Sequence, residues 1–144
     1  MESARLNECP LHGAGLSPDH LVGQRLEGIV ASWHRQDGEA SSCPLDVWLI
    51  DGNGMATRVT AGSDWCLIVE RSAPYEGFDM GGAGRVEVAP VRDETPFTAH
   101  LGETVLAVRE EADAVTGRLA LDITFESGRL RCQSWAGELR LSTC

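Results

Sequence analysis

Cys9 and His12 are separated by two residues, the spacing that can place a thiolate and an imidazole on one Zn²⁺. A tetrahedral site needs two further donors; Cys43 and His34 could supply them only if the fold brought them in, and no second close-spaced pair occurs. Cys9 and His12 are therefore the candidate metal ligands, and the sequence calls for no cofactor. His12, His20, His34 and His100 are the possible acid–base groups, but none has a nucleophile beside it and no Gly-x-Ser-x-Gly elbow occurs. Asp93-Glu94 and Glu110-Glu111 are adjacent, so on a strand each pair points to opposite faces and cannot share a proton. Asp46 and Asp122 sit mid-strand, where a carboxylate is expected to face water. The glycine-rich run 79–85 imitates a phosphate cradle, yet it has no lysine and a strand-like segment follows it instead of a helix.

Residue types suited to contact are more prominent than residue types suited to catalysis. Trp33, Trp65 and Trp135 fall at strand ends beside turns, Tyr75 shares a long loop with Phe78, and Trp48 lies within an apolar strand and reads as core. Tryptophans at strand ends bordered by acids read either as plugs at the ends of the β core or as contact anchors; on the second reading Asp64, Trp65, Tyr75, Asp79, Trp135 and Glu138 are the expected partner-binding residues.

The elements that must hold these residues are strands. The 144 residues suit one domain. The first sixteen are polar, broken by glycine and proline, and read as a loose arm, leaving 17–144 as a single β domain. Ser17-Pro18 starts a short helical turn. Strand-like runs follow at 26–33, 45–50, 55–60, 65–70, 86–88 and 103–110, with 34–43 a polar loop and Asp51-Gly52-Asn53-Gly54 a hairpin turn. Between 119 and 141, apolar Leu119, Leu121, Ile123, Phe125, Leu130, Cys132, Leu139 and Leu141 alternate with polar neighbours, the period of a sheet with one wet face. The fold class is all-β: an antiparallel meander of about six to eight strands, as a sandwich or a partly open barrel. Two stretches, 20–70 and 100–143, echo each other through His20-Leu21-Val22-Gly23 and His100-Leu101-Gly102. They also share Leu-Asp-(Val/Ile) at 45–47 and 121–123, which makes Asp46 and Asp122 a related pair and suggests two similar β units.

All twelve basic residues are arginine, so Schiff-base chemistry and phosphate-loop lysines are excluded. The formal net charge of −10 is spread evenly: ten acids and five arginines in 1–72, twelve and seven in 73–144. Such a field repels nucleic acid and anionic membranes; it reads first as a solubility charge and otherwise as favouring a basic partner. Five widely spaced cysteines fit a reduced, cytoplasmic protein.

The closing segment 126–141, with Asp79-Met80-Gly81-Gly82-Ala83-Gly84-Arg85 before it, resembles small acidic bacterial β proteins of the toxin-immunity type, which serve polymorphic or type VI-secreted toxin systems. The resemblance implies a cytoplasmic protein that binds rather than catalyses: an immunity-type inhibitor of a basic toxin or effector. Two other readings stay open: a small-ligand-binding β-barrel, and a hydrolase or metal enzyme built from dispersed His, Asp and Cys. An edge strand left open by the meander would admit a homodimer.

Overall fold

Alternating apolar residues build two antiparallel sheets whose inner faces meet. The computed structural model describes residues 18–36, 39–40, 43–61, 66–91, 95–113, 117–135 and 138–141. The larger sheet contains β1 (Leu26–Gln36), β2 (Glu39–Ala40), β3 (Asp46–Asp51), β4 (Ala56–Ala61), β5 (Leu67–Arg71), β6 (Phe78–Asp79) and β7 (Arg85–Pro90). Its order is β5-β4-β3-β1-β7-β6, with β2 folded back on the end of β1. The smaller sheet is β11-β10-β9-β8, from β8 (Val105–Asp113), β9 (Gly117–Phe125), β10 (Gly128–Trp135) and β11 (Glu138–Leu141).

Ile29, Ala31, Val47, Leu49, Val59, Leu67 and Val69 from one sheet pack on Leu121, Ile123, Phe125, Leu130, Cys132, Leu139 and Leu141 from the other. Each such burial stabilises by roughly 1.5–3 kcal/mol for a large aliphatic or aromatic side chain. Both sheets are open, so the architecture is the sandwich rather than a closed barrel. A cavity beside Leu26, Leu49, Val105 and Phe125 measures about 20 Å³, room for a single water and not for an organic ligand. Buried Arg118 of β9 ties the layers: it pairs with Glu110 on β8 and donates to the Leu67 carbonyl of β5 at 3.3 Å.

One corner joins the sheets through reciprocal backbone bonds. Short 3₁₀ turns, Pro18–Leu21 and Pro96–His100, lead into Gly23 and Gly102, whose φ of 87° and 84° suits glycine. Gly23 N–H donates to Val105 and Gly102 N–H to Leu26, at 2.8 and 2.7 Å. Leu26 N–H donates to Glu103 and Val105 N–H to Gln24, both at 2.9 Å. Exchanging 23–26 with 102–105 maps each bond onto its counterpart, a local twofold. Beyond it, β1 and β8 each carry a bulge in the same place, between Leu26 and Gly28 and between Val105 and Ala107. The orders β5-β4-β3-β1 and β11-β10-β9-β8 also match.

Four expectations are corrected. β1 runs on to Gln36 and β2 follows, where a loop over 34–43 was expected, because Arg35 and Gln36 find partners in β2 and β7. Asp46 and Asp122 do not face water: Asp46 is 3% exposed and Asp122 is also buried, each beside an arginine. They are not equivalent either. Asp122 lies opposite Arg131 as Trp48 lies opposite Arg58, so the counterpart of Asp46 is Ala120. Finally, Cys43 is disulfide-bonded, whereas Cys66 and Cys132 are buried in the core; burial pushes the Cys132 thiol far up. No helix among the described residues is long and apolar enough to cross a membrane.

Candidate binding surface on the larger sheet

β5 and β6 are consecutive in the chain but sit on opposite edges of their sheet. Five strand spacings of about 4.8 Å separate them, roughly 24 Å, and the seven peptide units from Arg71 to Phe78 reach only about that far when extended. Residues 72–77 must therefore cross the outer face of the sheet as a strap, and they carry no regular structure of their own.

Tyr75 pins the strap at mid-span. Its hydroxyl donates to Asp46 and lies 3.2 Å from Ser32 Oγ, while its ring meets Trp48 edge-on at 5.1 Å. Asp46 is a strand carboxylate on the same outer face, one position before the core-facing Val47. It accepts from Ser32 Oγ at 2.8 Å and from Arg58 Nε and Nη2 at 3.0 and 2.9 Å. Arg58 turns its remaining amino group to Glu70 at 2.8 Å. Burial alone would raise the Asp46 carboxyl, but hydrogen bonds, that of Tyr75 foremost, and the Arg58 charge hold it below its ordinary value. Burial, and then the bond to Asp46, pushes the Tyr75 phenol up. Trp48 is 0% exposed beneath this cover and its indole N–H has no acceptor among the described residues.

Held from behind, the strap delivers an exposed segment. Glu76, Phe78, Asp79 and Met80 all face solvent, Phe78 at 51%. Phe78 stands 6.0 Å from Tyr75, and Gly77 lets the backbone close on the Val86 carbonyl, where a Cβ would collide. A shallow groove of about 560 Å³ runs along this edge, lined by Gly77, Phe78, Asp79, Arg85 and Val86 through Ala89. The glycine-rich turn closes it at one end. Asp79 accepts the Gly81 N–H at 2.7 Å, His34 Nε2 lies 2.6 Å from the Ala83 carbonyl, and Gln36 donates to Gly82 at 3.2 Å. Gly84, at φ 99°, presses against the Arg35 carbonyl, a conformation and approach that any side chain would oppose. The run 79–85 is thus a strand connection seated on the end of β1.

Of the expected contact residues, the fold brings Tyr75 and Asp79 together on this segment. Trp135 and Glu138 lie directly opposite each other on β10 and β11, on the other sheet, with the Arg140 guanidinium 5.6 Å from the Trp135 ring. Asp64, Trp65, Cys9 and His12 lie outside the described residues. Sequence reasoning passed over Ser32, Asp46, Arg58 and Trp48 as a group. A lone aspartate inside an apolar strand was the available signal, since a charge there needs donors on its own face.

Comparison of the chain with protein-family models, curated proteins and solved structures finds no match. Its chemistry has to be read from the residues themselves.

The other polar cluster joins His100, Glu103 and Ser127. Ser127 donates to Glu103 Oε2 at 2.7 Å through its hydroxyl and at 3.0 Å to Oε1 through its N–H. Those two bonds, the hydroxyl first, lower the Glu103 carboxyl. Both Ser127 Oγ and Glu103 Oε1 approach the same ring nitrogen, His100 Nδ1, at 3.2 Å. A hydroxyl–imidazole–carboxylate relay needs the two partners on opposite nitrogens. This cluster instead caps the β9–β10 turn, with the imidazole stacked on Phe125 at 4.4 Å. Among the described residues, no group of three or more His, Cys, Asp or Glu side chains could hold a metal ion.

Proposed function

We propose that this chain is a non-catalytic binding protein of the immunity type, an inhibitor that docks a basic toxin or effector on the strap edge of its larger sheet. One observation carries the reading: exposed Phe78 and Met80 stand among Glu76 and Asp79 on a segment fixed from behind by Tyr75. An aromatic anchor that is already ordered loses little entropy on binding. Acids around the anchor, backed by a net charge of −10, attract and orient a basic partner. Trp135 and Glu138 offer a second, smaller contact on the opposite sheet.

The test is affinity capture from a lysate of the producing organism, run in parallel with the wild-type protein and Phe78→Ala. A basic protein retained by the wild type, lost with Phe78→Ala and eluted by salt is the expected result. An identical set of captured proteins with both baits would refute the strap edge as the contact. Recovery of no basic protein by the wild type would refute the function.

A further inference from the structure

β1 and β8 hold the same place in their meanders, yet only β1 is flanked on its far side. There β7 pairs with it from Val30↔Pro90 to Arg35↔Arg85, and the Val91 N–H extends the ladder to Ile29 at 2.9 Å. β8 ends its sheet, and no strand among the described residues pairs with its outer edge. Gly23 and Gln24 occupy that edge at Val105. The open stretch therefore runs from Leu106 to Asp113, with Leu106, Ala107, Arg109, Glu111 and Ala112 exposed. Proteins commonly blunt such an edge with an inward-pointing charge. Glu110 points inward, but Arg118 neutralises it, so the edge is left competent to pair.

We propose that β8 pairs antiparallel with β8 of a second copy, about a twofold centred on Glu110, so that two four-stranded sheets become one of eight. The charges select this register. Centred on Glu110, each Arg109 lies opposite Glu111 of the other copy, and the ladder uses 107–113, essentially the whole open stretch. Every such axis sets one residue against itself: centring on Arg109 would oppose two arginines unpaired among the described residues, and centring on Glu111 two glutamates held only by exposed Arg131, both destabilising, whereas each Glu110 is neutralised by buried Arg118. Arg109 is exposed and makes no ion pair among the described residues, so its charge is available. The two Glu110 side chains meet across the axis, each held by its own Arg118. The pairing supplies to β8 what β7 supplies to β1.

Sedimentation velocity over a concentration series tests this with two charge variants. The wild type dimerises. Arg109→Glu and Glu111→Arg each replace two attractive contacts with two repulsive ones and weaken self-association by about tenfold or more. An equimolar mixture of the two variants restores the dimer, because every arginine then faces a glutamate. Both positions are exposed, and the pair that Glu111→Arg gives up with Arg131 is a surface one, so circular dichroism of each variant matches the wild type. Phe78→Ala, on the other sheet, leaves the dimer intact and separates this proposal from the partner-binding one. A wild type that stays monomeric throughout, a dimer indifferent to both variants, or a mixture that stays monomeric would each overturn the proposal.

Discussion

The two units of this protein share a strand order, a bulge position and a corner, and differ in what lies on their outer faces. In the first, residues 72–77 cross the sheet, so Ser32, Asp46 and Trp48 are buried on the side away from the core. In the second nothing among the described residues crosses, and Arg109, Glu111, Arg129 and Arg140 stand exposed. The two tryptophans show the difference most simply: Trp48 is fully covered and Trp135 is 56% exposed. A sandwich needs only its inner faces to fold. Covering one outer face adds a second, polar layer whose product is a fixed segment at the sheet edge.

Truncating the two tryptophans separates the faces most widely. Trp48→Ala is expected to cost about 3–5 kcal/mol, the range for removing a large buried aromatic. Trp135→Ala should change stability by about 0.5 kcal/mol or less, as for an exposed site. Denaturant unfolding monitored by far-UV circular dichroism measures both. The aspartates come next. Asp46→Asn removes the charge that Arg58, Ser32 and Tyr75 converge on and is expected to cost about 2–3 kcal/mol. Asp122→Asn, whose Arg131 partner is partly solvated and keeps Glu111, should cost about 1 kcal/mol or less.

The pH dependence belongs to the first unit too. Asp46 is depressed below its ordinary 3.8, so its contribution is complete above that value and is lost as the pH falls through the lower, folded value. Tyr75 is raised above 10.0, so its contribution is complete below pH 10 and is lost as the pH climbs through the higher, folded value. Tyr75→Phe should abolish the alkaline loss. It should also move the acid loss to higher pH, since Asp46 gives up its foremost hydrogen bond. Thermal melts across the pH range read both. A small, salt-dependent effect is expected on the open face: Arg131→Ala should cost about 0.2–1 kcal/mol, diminishing with salt, because Arg131 and its Glu111 partner are exposed to screening.

The strands of both units were readable from alternation and turn residues, and most clearly in the second. There Leu121, Ile123 and Phe125 face inward on β9 while Arg129, Arg131 and Gln133 mark the wet face of β10. In the first unit the same rule misleads. Asp46 through Leu49 are all buried, because the strap covers the face that alternation assigns to water. Nothing in residues 72–77 announces a strap: they have no period, and their path follows only from β5 and β6 lying on opposite edges. Tyr75 was legible as an aromatic in a long loop. The inward turn of its hydroxyl depends on Ser32, Asp46 and Arg58 from three separate strands, a convergence set by register and not by spacing along the chain.

Tyr75 holds the strap on the sheet behind the presented segment, and the Trp48 indole N–H reports on that contact directly. Proton–nitrogen correlation spectra resolve indole N–H signals, and their exchange with water can be timed one by one. Trp48 is expected to exchange far more slowly than Trp135, and to accelerate by at least about tenfold in Tyr75→Phe, where opening of the cover costs about 1.4 kcal/mol less or lower still. A Trp48 indole that exchanges as fast as that of Trp135 in the wild-type protein would contradict the account.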